Sequence, residues 1–244
     1  MRVLQLGKFY PIYGGVEKVE WDLTRGLSRK GVRCDMLCCG LRSEVVNSLY
    51  GKFTGRRIEI IFNENGRCIV VPAIMKAAAT MIAPRLVFEL RKIMMDYDII
   101  HVHHPDPMAV LALRLSGYKG KVVLHWHSDI VKQKFLLKLY MPILNWIIKR
   151  ADAIVGTTPV YVQDSVFLKD VQHKVTAIPI GIDPVMPDDK GAEKIRKRYE
   201  NKKLVYSLGR LVEYKGYEYL IEAARYLPDS YHILIGETVR TVIG

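Results

Sequence analysis

The stretch RVLQLGKFYPIYGGVEKVEWDLTRGLSRKGVRCDMLCC, residues 2–39, contains the pattern that decides the fold. Its first apolar run, Arg2–Leu6, predicts a β-strand. The apolar residues of 16–30 recur at helical spacing, which predicts a helix that ends at Gly31. A second apolar run, Val32–Cys39, predicts another strand. A strand, a helix and a strand in this order indicate two parallel strands joined by a crossover helix.

The same alternation of strands and helices continues along the chain and predicts an α/β fold with a doubly wound parallel sheet. A segment rich in proline and charge, residues 183–202, has the composition of an interdomain linker. We therefore predict a complete Rossmann-like domain over residues 1–182 and the start of a second one over 203–244. The last segment offers a single strand–helix–strand unit, which leaves both faces of a parallel pair uncovered. We expect the second domain to be cut short.

Composition and charge limit the class of protein. The chain has 244 residues, of which 50% are hydrophobic and 25% charged, as is typical of a folded globular protein. The net charge of +12 is concentrated in residues 1–182, which hold 26 Lys and Arg against 15 Asp and Glu. Such a charge attracts phosphates and anionic lipid headgroups. We do not expect a nucleic-acid partner, because the sequence has no helix-turn-helix, zinc-finger or aromatic-and-basic sheet signature.

The sequence indicates a cytoplasmic protein with peripheral contact to the inner face of the plasma membrane. It has neither a signal peptide nor an uninterrupted apolar run of about 20 residues. The predicted helix Lys132–Arg150, interrupted near Pro142, mixes cations with apolar residues and has the composition of an interfacial helix. The alternative is a core helix whose basic face is solvated.

The motif HVHHPD, residues 101–106, directly follows the predicted strand Ile99–Val102, at the edge where parallel sheets place ligands. Alternation along the strand puts His101 and His103 on one side and leaves His104 in the following loop. Two roles are considered for the motif. It lines a substrate pocket, for which His103, His104 and Asp106 are the candidates, or it holds a metal, for which no fourth ligand is evident.

The motif HWHSD, residues 125–129, follows the next predicted strand, so we expect it at the same edge as the first motif. The two motifs together indicate one cleft. His127 can exchange a hydrogen bond with a sugar hydroxyl or polarise a reacting group, and Asp129 is a further pocket candidate. The alternative for His127 is a histidine whose hydrogen bonds serve only the fold.

Two loops have the composition of anion sites. Gly14 and Gly15 lie between a strand and a helix, where backbone N–H groups can approach a diphosphate at the helix N-terminus. The alternative is a simple tight turn. Arg210 and Lys215 lie in the loop GRLVEYKG, residues 209–216, and suit a diphosphate leaving group. The alternative is a pair of solvated surface cations.

Several blocks of sequence match one family pattern in the correct order. They are PxxGGVE (11–17), DIIHVHHP (98–105), HWHSD (125–129), RADAIVGTTP (150–159), VTAIPIGID (175–183) and GRLVEYKGYEYLIEA (209–223). With these blocks the chain resembles the retaining group 1 glycosyltransferases, family 4, which have the GT-B fold of two Rossmann-like domains. The resemblance extends through nearly the whole chain.

The resemblance implies transfer of a sugar from a nucleotide-diphosphate sugar to a glycan or lipid-linked acceptor, with retention, in cell-surface polysaccharide biosynthesis. It implies no cofactor and no metal, because two cations neutralise the leaving group. The residues implied for the donor diphosphate are Gly14, Gly15, Arg210 and Lys215. His127 is implied beside the reacting sugar, and we expect His103 and Asp129 in the acceptor pocket.

Two other hypotheses stay open. The family's second domain carries further nucleotide-binding loops and two Glu eight positions apart, yet this chain ends at Gly244 before either. The first hypothesis is that the chain is an inactive, truncated glycosyltransferase that only binds acceptor, or a pseudogene product whose residues after Gly236 come from a frameshift. A nicotinamide-dependent dehydrogenase shares the doubly wound pattern, but its glycine fingerprint is missing after the first strand.

Overall fold

A computed structural model of the chain describes residues 1–46, 52–53, 57–77, 80–130, 134–209 and 211–236. These residues form two compact units, the first over Met1–Ile180 and the second from Gly181 onward. Each unit has a parallel sheet of its own.

The first unit contains most of the strands and helices. Its strands are β1 (Arg2–Tyr10), β2 (Arg33–Leu41), β3 (Lys52–Phe53), β4 (Ile58–Asn63), β5 (Gly66–Ala73), β6 (Met75–Ala77), β7 (Thr80–Ile82), β8 (Ile99–His104), β9 (Lys121–Trp126), β10 (Ala153–Gly156) and β11 (Val175–Ala177). Its helices are α1 (Val16–Arg29), α2 (Arg42–Val46), α3 (Arg85–Ile93), α4 (Pro107–Ser116), α5 (Lys134–Arg150) and α6 (Pro159–Asp164).

Within the described residues, nine of these strands form one sheet in the order β11-β10-β9-β8-β1-β2-β5-β4-β3. The pairs from β11 to β5 are parallel, and β4 and β3 add an antiparallel edge. The chain moves from β1 to β2 in one direction and from β8 to β11 in the other. The predicted doubly wound α/β fold is confirmed. Its strand order reverses between β1 and β8, beside which open sheets of this kind bind ligands.

The core lies on both faces of this sheet, because buried parallel strands carry apolar side chains on each side. On one face, Leu4, Ile100 and Leu124 are fully buried in a cluster with apolar side chains of α3, α4 and α5. On the other face, Trp21 of α1 packs in a second cluster with Met36 of β2. Full burial of one such aliphatic side chain stabilises the fold by about 1.5–3 kcal/mol.

Local signals fix both ends of α4, which follows the histidine-rich strand β8. A carboxylate oxygen of Asp106 accepts hydrogen bonds from the backbone N–H groups of Met108 and Ala109, both at 3.1 Å. Pro107 occupies the first helical position, where its missing N–H costs nothing. Gly117, with a φ of 76°, follows the helix in the left-handed conformation. Asp106 therefore serves as a helix N-cap.

Two details of the sequence-based prediction are wrong. β8 does not end at Val102 but continues to His104, because His103 and His104 stay paired with β9. His104 therefore lies in the strand and not in a loop. Helix α5 is not interrupted at Pro142 but continues through it. Residues 131–133, at the start of the predicted helix, lie outside the described part of the chain.

The second unit consists of α7 (Asp189–Arg198), β12 (Lys203–Leu208), α8 (Tyr217–Ala223) and β13 (Tyr231–Gly236). β12 and β13 pair in parallel, as the strand–helix–strand pattern predicts. Their side chains are exposed or half-buried along both strands. The roles of the two predicted domains, acceptor-side for 1–182 and nucleotide-sugar-binding for 203–244, stay predictions. The frameshift hypothesis concerns residues 237–244, which lie outside the described residues.

The buried face of β9 gives a first testable prediction. We expect Leu124→Ala to lower the free energy of unfolding by about 2–5 kcal/mol, because it removes a fully buried side chain and leaves a cavity. Leu115→Ala, at a position that is 49% exposed on α4, is the control and should change it by less than about 1 kcal/mol. Urea unfolding followed by circular dichroism measures both. Equal losses in the two variants would contradict the assigned core.

Candidate active site

Four histidine side chains form a row on one face of the sheet, at and beyond β8 and β9. His103 is paired with His125 across the two strands. The rings of His125 and His127 are 4.0 Å apart between centroids and within 11° of parallel. His103 lies 5.2 Å from each of these rings and 4.8 Å from the ring of His101. In each motif the two histidines are two positions apart. Because every second residue of a strand points to the same face, this spacing places the histidines on one face of the sheet.

Hydrogen bonds connect this row to the first strand. Nδ1 of His103 lies 2.9 Å from Nε2 of His127, and Nε2 of His103 lies 2.8 Å from Oε1 of Gln5. Gln5 is fully buried in β1, and its amide nitrogen approaches the sulfur of Cys34 at 3.7 Å. The structure brings the two predicted residues His103 and His127 into contact. Sequence reasoning missed Gln5, although a polar residue inside the apolar run 2–6 was a usable signal.

Burial keeps all four imidazoles neutral. It lowers the pKa of His127 to about 2, with the neighbouring imidazoles of His125 and His101 adding to the effect. Burial likewise lowers the pKa of His125 to about 4 and of His101 to about 3. The pKa of His103 lies well below its ordinary value for the same reason. At neutral pH each ring therefore has one donor and one acceptor nitrogen and no charge.

Among the described residues, three histidines of the row lie close enough together to be considered as a metal site. One ring nitrogen each of His101, His103 and His125 lies within 4.8 Å of the others. Zinc needs nitrogens at about 2.0–2.1 Å, with lone pairs that converge on it. Here both nitrogens of His103 already have partners, and the rings of His101 and His125 are within 8° of parallel, so their in-plane lone pairs do not converge. As arranged, these residues do not fit a metal ion.

Asp129 holds the turn that carries His127. One of its carboxylate oxygens accepts hydrogen bonds from the indole N–H of Trp126 at 2.8 Å and from the hydroxyl of Ser165 at 3.0 Å. Its backbone N–H donates to the hydroxyl of Tyr161 at 2.6 Å. These contacts tie the end of β9 to α6 and its following turn. The acceptor-pocket role of Asp129 stays a prediction, beside this structural one.

Gly14 and Gly15 lie between β1 and α1, as predicted. Both have positive φ values, 132° and 71°, which glycine adopts without strain. Gly15 is the N-cap of α1 and supplies no side-chain acceptor, so it leaves the first N–H groups of the helix to other partners. A helix N-terminus can accept an anion, and Glu17 lies in the first turn of α1. The diphosphate-binding role of Gly14 and Gly15 stays a prediction.

The predicted cations belong to the second unit. Lys215 is exposed in a short 3-10 turn, Glu213–Lys215, directly before α8, and its ammonium lies 5.6 Å from the ring centre of Tyr214. Arg210 lies outside the described residues. The diphosphate-binding roles of both residues stay predictions.

The first unit also has an exposed patch of apolar and basic side chains, which we call the apolar–basic patch: Ile74, Met75, Arg85, Phe88 and Lys92. Ile74 is 75% exposed, Phe88 59% and Met75 52%. Arg85 lines two adjoining shallow grooves, one with Ile74 and the other with Phe88 and Lys92.

None of the helices in the described parts of the chain is long and apolar enough to span a bilayer.

Known proteins match the chain over most of its length. The family described as Glycosyltransferase Family 4 matches residues 13–185. The O-antigen chain mannosyltransferase C of Escherichia coli is 31% identical over 228 residues, which cover 92% of this chain and 58% of that protein. The D-rhamnosyltransferase WbpZ of Pseudomonas aeruginosa is 28% identical over 228 residues, which cover 91% and 56%. The chain thus spans little more than half the length of these relatives.

Solved structures share the fold. The crystal structure of Anabaena HepE in complex with UDP and glucose has a TM-score of 0.69 and 16% identity, covering 98% of this chain and 62% of that one. Sucrose-phosphate synthase from Thermosynechococcus elongatus has a TM-score of 0.63 and 16% identity, covering 96% and 62%. At such identities the likeness concerns the fold alone.

The neutral histidine row predicts destabilisation by acid. His125 has a folded-state pKa of about 4 against an ordinary 6.5, so its contribution to stability is complete above pH 6.5 and is lost as the pH falls towards 4. Each such histidine contributes at most about 1.4 kcal/mol per pH unit in this window. We expect His125→Gln to reduce the loss of unfolding free energy between pH 7 and pH 5, measured by urea unfolding. An identical loss in the variant and the native chain would contradict the burial assigned to His125.

Proposed function

The chain belongs to glycosyltransferase family 4, and from this premise we propose that it transfers a sugar from a nucleotide-diphosphate sugar to a glycan or lipid-linked acceptor with retention. Two relatives named as an O-antigen chain mannosyltransferase and a D-rhamnosyltransferase support a place in cell-surface polysaccharide biosynthesis. Mannose and D-rhamnose are therefore the donor sugars that we propose first. The reaction takes place in the cytoplasm, at the inner face of the plasma membrane.

One observation carries this proposal: a neutral, half-buried His127 that is hydrogen-bonded to His103 at the carboxyl edge of the sheet. This edge lies beside the reversal of strand order, where open α/β sheets bind ligands. With a pKa of about 2, His127 is a poor proton acceptor, so its proposed role is to hydrogen-bond a hydroxyl of the reacting sugar. His103 and Asp129 complete the acceptor side of the proposed pocket.

For the donor diphosphate we propose the loop of Gly14 and Gly15 in the first unit. Arg210 and Lys215, of the second unit, are the cations that we propose for the charge of the leaving group. The N-terminus of α1 offers N–H groups and a partial positive charge, which favours an anion there. The acceptor hydroxyl attacks the anomeric carbon while the bond to the diphosphate breaks, through an oxocarbenium-like state, and the departing diphosphate oxygen takes the proton of the hydroxyl. The cations stabilise the departing diphosphate, so the proposed reaction needs no metal.

The apolar–basic patch is the surface that we propose for contact with an anionic membrane. Ile74 directly follows β5, a strand that runs parallel to β8 and β9, so it emerges at the same edge of the sheet as the histidine row. Apolar side chains that enter the headgroup region beside cations are the usual features of such a surface. Helix α5, the surface considered from the sequence alone, buries Tyr140 and Leu144 against the core.

Transfer activity tests the proposed function. We expect the purified chain to transfer a labelled sugar from a nucleotide-activated mannose or D-rhamnose to a lipid-linked oligosaccharide. His127→Ala should lower turnover roughly 10²-fold or more, because it removes a hydrogen bond made at the reacting sugar. His173→Ala, at an exposed histidine of the same unit, is the matched control and should leave turnover unchanged. Turnover is measured by separating labelled product from donor.

Two results of this assay would contradict parts of the proposal. No transfer, with lipid-linked acceptor still bound, would contradict the proposed activity and favour the inactive, acceptor-binding hypothesis. Transfer that is equal in His127→Ala and His173→Ala would keep the activity and remove His127 from the site.

Vesicle binding tests the proposed membrane surface. The native chain should sediment with vesicles containing phosphatidylglycerol and less so at high salt, because screening weakens the attraction of the cations. The double variant Ile74→Ser and Phe88→Ser should bind at least about tenfold more weakly, because two apolar side chains no longer enter the bilayer. The matched variant Leu136→Ser and Leu139→Ser changes two exposed residues of α5. A loss confined to the α5 variant would contradict the apolar–basic patch.

A further inference from the structure

We infer that Gln5 fixes the tautomer of His127 through His103, so that Nδ1 of His127 accepts a hydrogen bond from a substrate hydroxyl. Gln5 is thereby a positioning residue, because it acts on the substrate only through two imidazoles. The substrate part of this inference rests on the proposed function of His127, whereas the tautomer itself does not.

The direction of the hydrogen bonds follows from the atoms that face one another. Oε1 of Gln5 is a carbonyl oxygen, which can only accept, so Nε2 of His103 must carry the proton of their 2.8 Å contact. Because His103 is neutral, its Nδ1 is then unprotonated and can only accept. Nε2 of His127, 2.9 Å away, must therefore be the donor. His127 is neutral as well, which leaves its lone pair on Nδ1.

The surroundings of Gln5 favour this orientation of its amide. The amide N–H group points to the sulfur of Cys34 at 3.7 Å. Burial raises the pKa of this thiol to about 12, so the sulfur is neutral and takes part as a weak partner. The carbonyl oxygen is thus left for the imidazole N–H of His103, which is the stronger donor. Gln5 is fully buried, so within the fold its amide has little room to exchange these partners.

The neighbouring histidine does not disturb this arrangement. The rings of His125 and His127 lie face to face, within 11° of parallel. His125 therefore presents its ring face to His127 rather than an in-plane lone pair or N–H group. The tautomer of His127 is consequently set by the partner that it meets edge-on, which is His103.

The inferred tautomer predicts the kind of group that His127 recognises. An unprotonated Nδ1 accepts a hydrogen bond, so it fits a hydroxyl, which can donate, and not a phosphate or carbonyl oxygen, which cannot. The residue therefore selects a sugar hydroxyl rather than the diphosphate. A site built to bind a hydroxyl discriminates strongly against an analogue that lacks it, because a buried polar group is then left unpaired.

Two-bond ¹H–¹⁵N correlation NMR on the ¹⁵N-histidine-labelled chain tests the inference without any assay of turnover. Signals are assigned by their loss in His103→Gln and His127→Gln. We expect both residues to show a protonated Nε2 and an unprotonated Nδ1 near neutral pH. A protonated Nδ1 on His127 in the native chain would overturn the inference, whatever the variants show.

Two variants at the same amide then test the cause. Gln5→Met removes the carbonyl acceptor with little change of volume, and we expect His127 to lose its single tautomer. Cys34→Ala removes the sulfur contact and leaves the 2.8 Å contact to His103, so it should retain the native pattern. A folded Gln5→Met chain with the native tautomer would overturn the role of Gln5. If the tautomer is as inferred and His127→Ala still turns over normally, the proposed role of His127 at the reacting sugar fails and the tautomer assignment remains.

Discussion

The parallel pairing of β1 with β8 is the constraint on which the rest of the structure depends. It joins residues about 96 positions apart, Gln5 opposite His101 among them, and it marks the point where the strand order reverses. On one side of this pair the chain adds β2 and β5, and on the other it adds β9, β10 and β11. Every residue of the candidate site in the first unit lies on these strands or in the loops that follow them. The shared edge at which these residues lie is thus a consequence of topology before any side chain is considered.

Burial in this sheet changes what its histidines can do. In water an imidazole takes up a proton near pH 6.5, but the row from His101 to His127 is taken out of water and its members disfavour one another's charge. The result is a set of neutral rings, of which His103 and His127 have directional hydrogen bonds. Such rings suit the orientation of a hydroxyl better than the neutralisation of an anion. This is why a hydrogen-bonding role, and not a general base, is proposed for His127.

Much of this architecture could be predicted from the sequence. Alternating strands and helices predicted the doubly wound fold, and the family resemblance is confirmed by the match over residues 13–185. The sequence also predicted that His103 and His127 share one edge, since both follow strands of one parallel sheet. It could not predict Gln5 as their partner, because that contact spans 98 positions and depends on strand order. The extension of β8 to His104 was missed for the same reason, since it depends on pairing with β9.

The charges of the proposed reaction divide between the two units. A departing diphosphate carries at least two negative charges, and the neutral histidines offer it none. The N-terminus of α1 behind Gly15 offers a partial charge of roughly +0.5. Full positive charges must therefore come from side chains, which in the proposed reaction are Arg210 and Lys215. The first unit would accordingly select and orient a hydroxyl, while the cations after β12 lower the energy of the leaving group. In the proposed division the histidine row can stay neutral, because the N-terminus of α1 and the cations stabilise the charge of the leaving group.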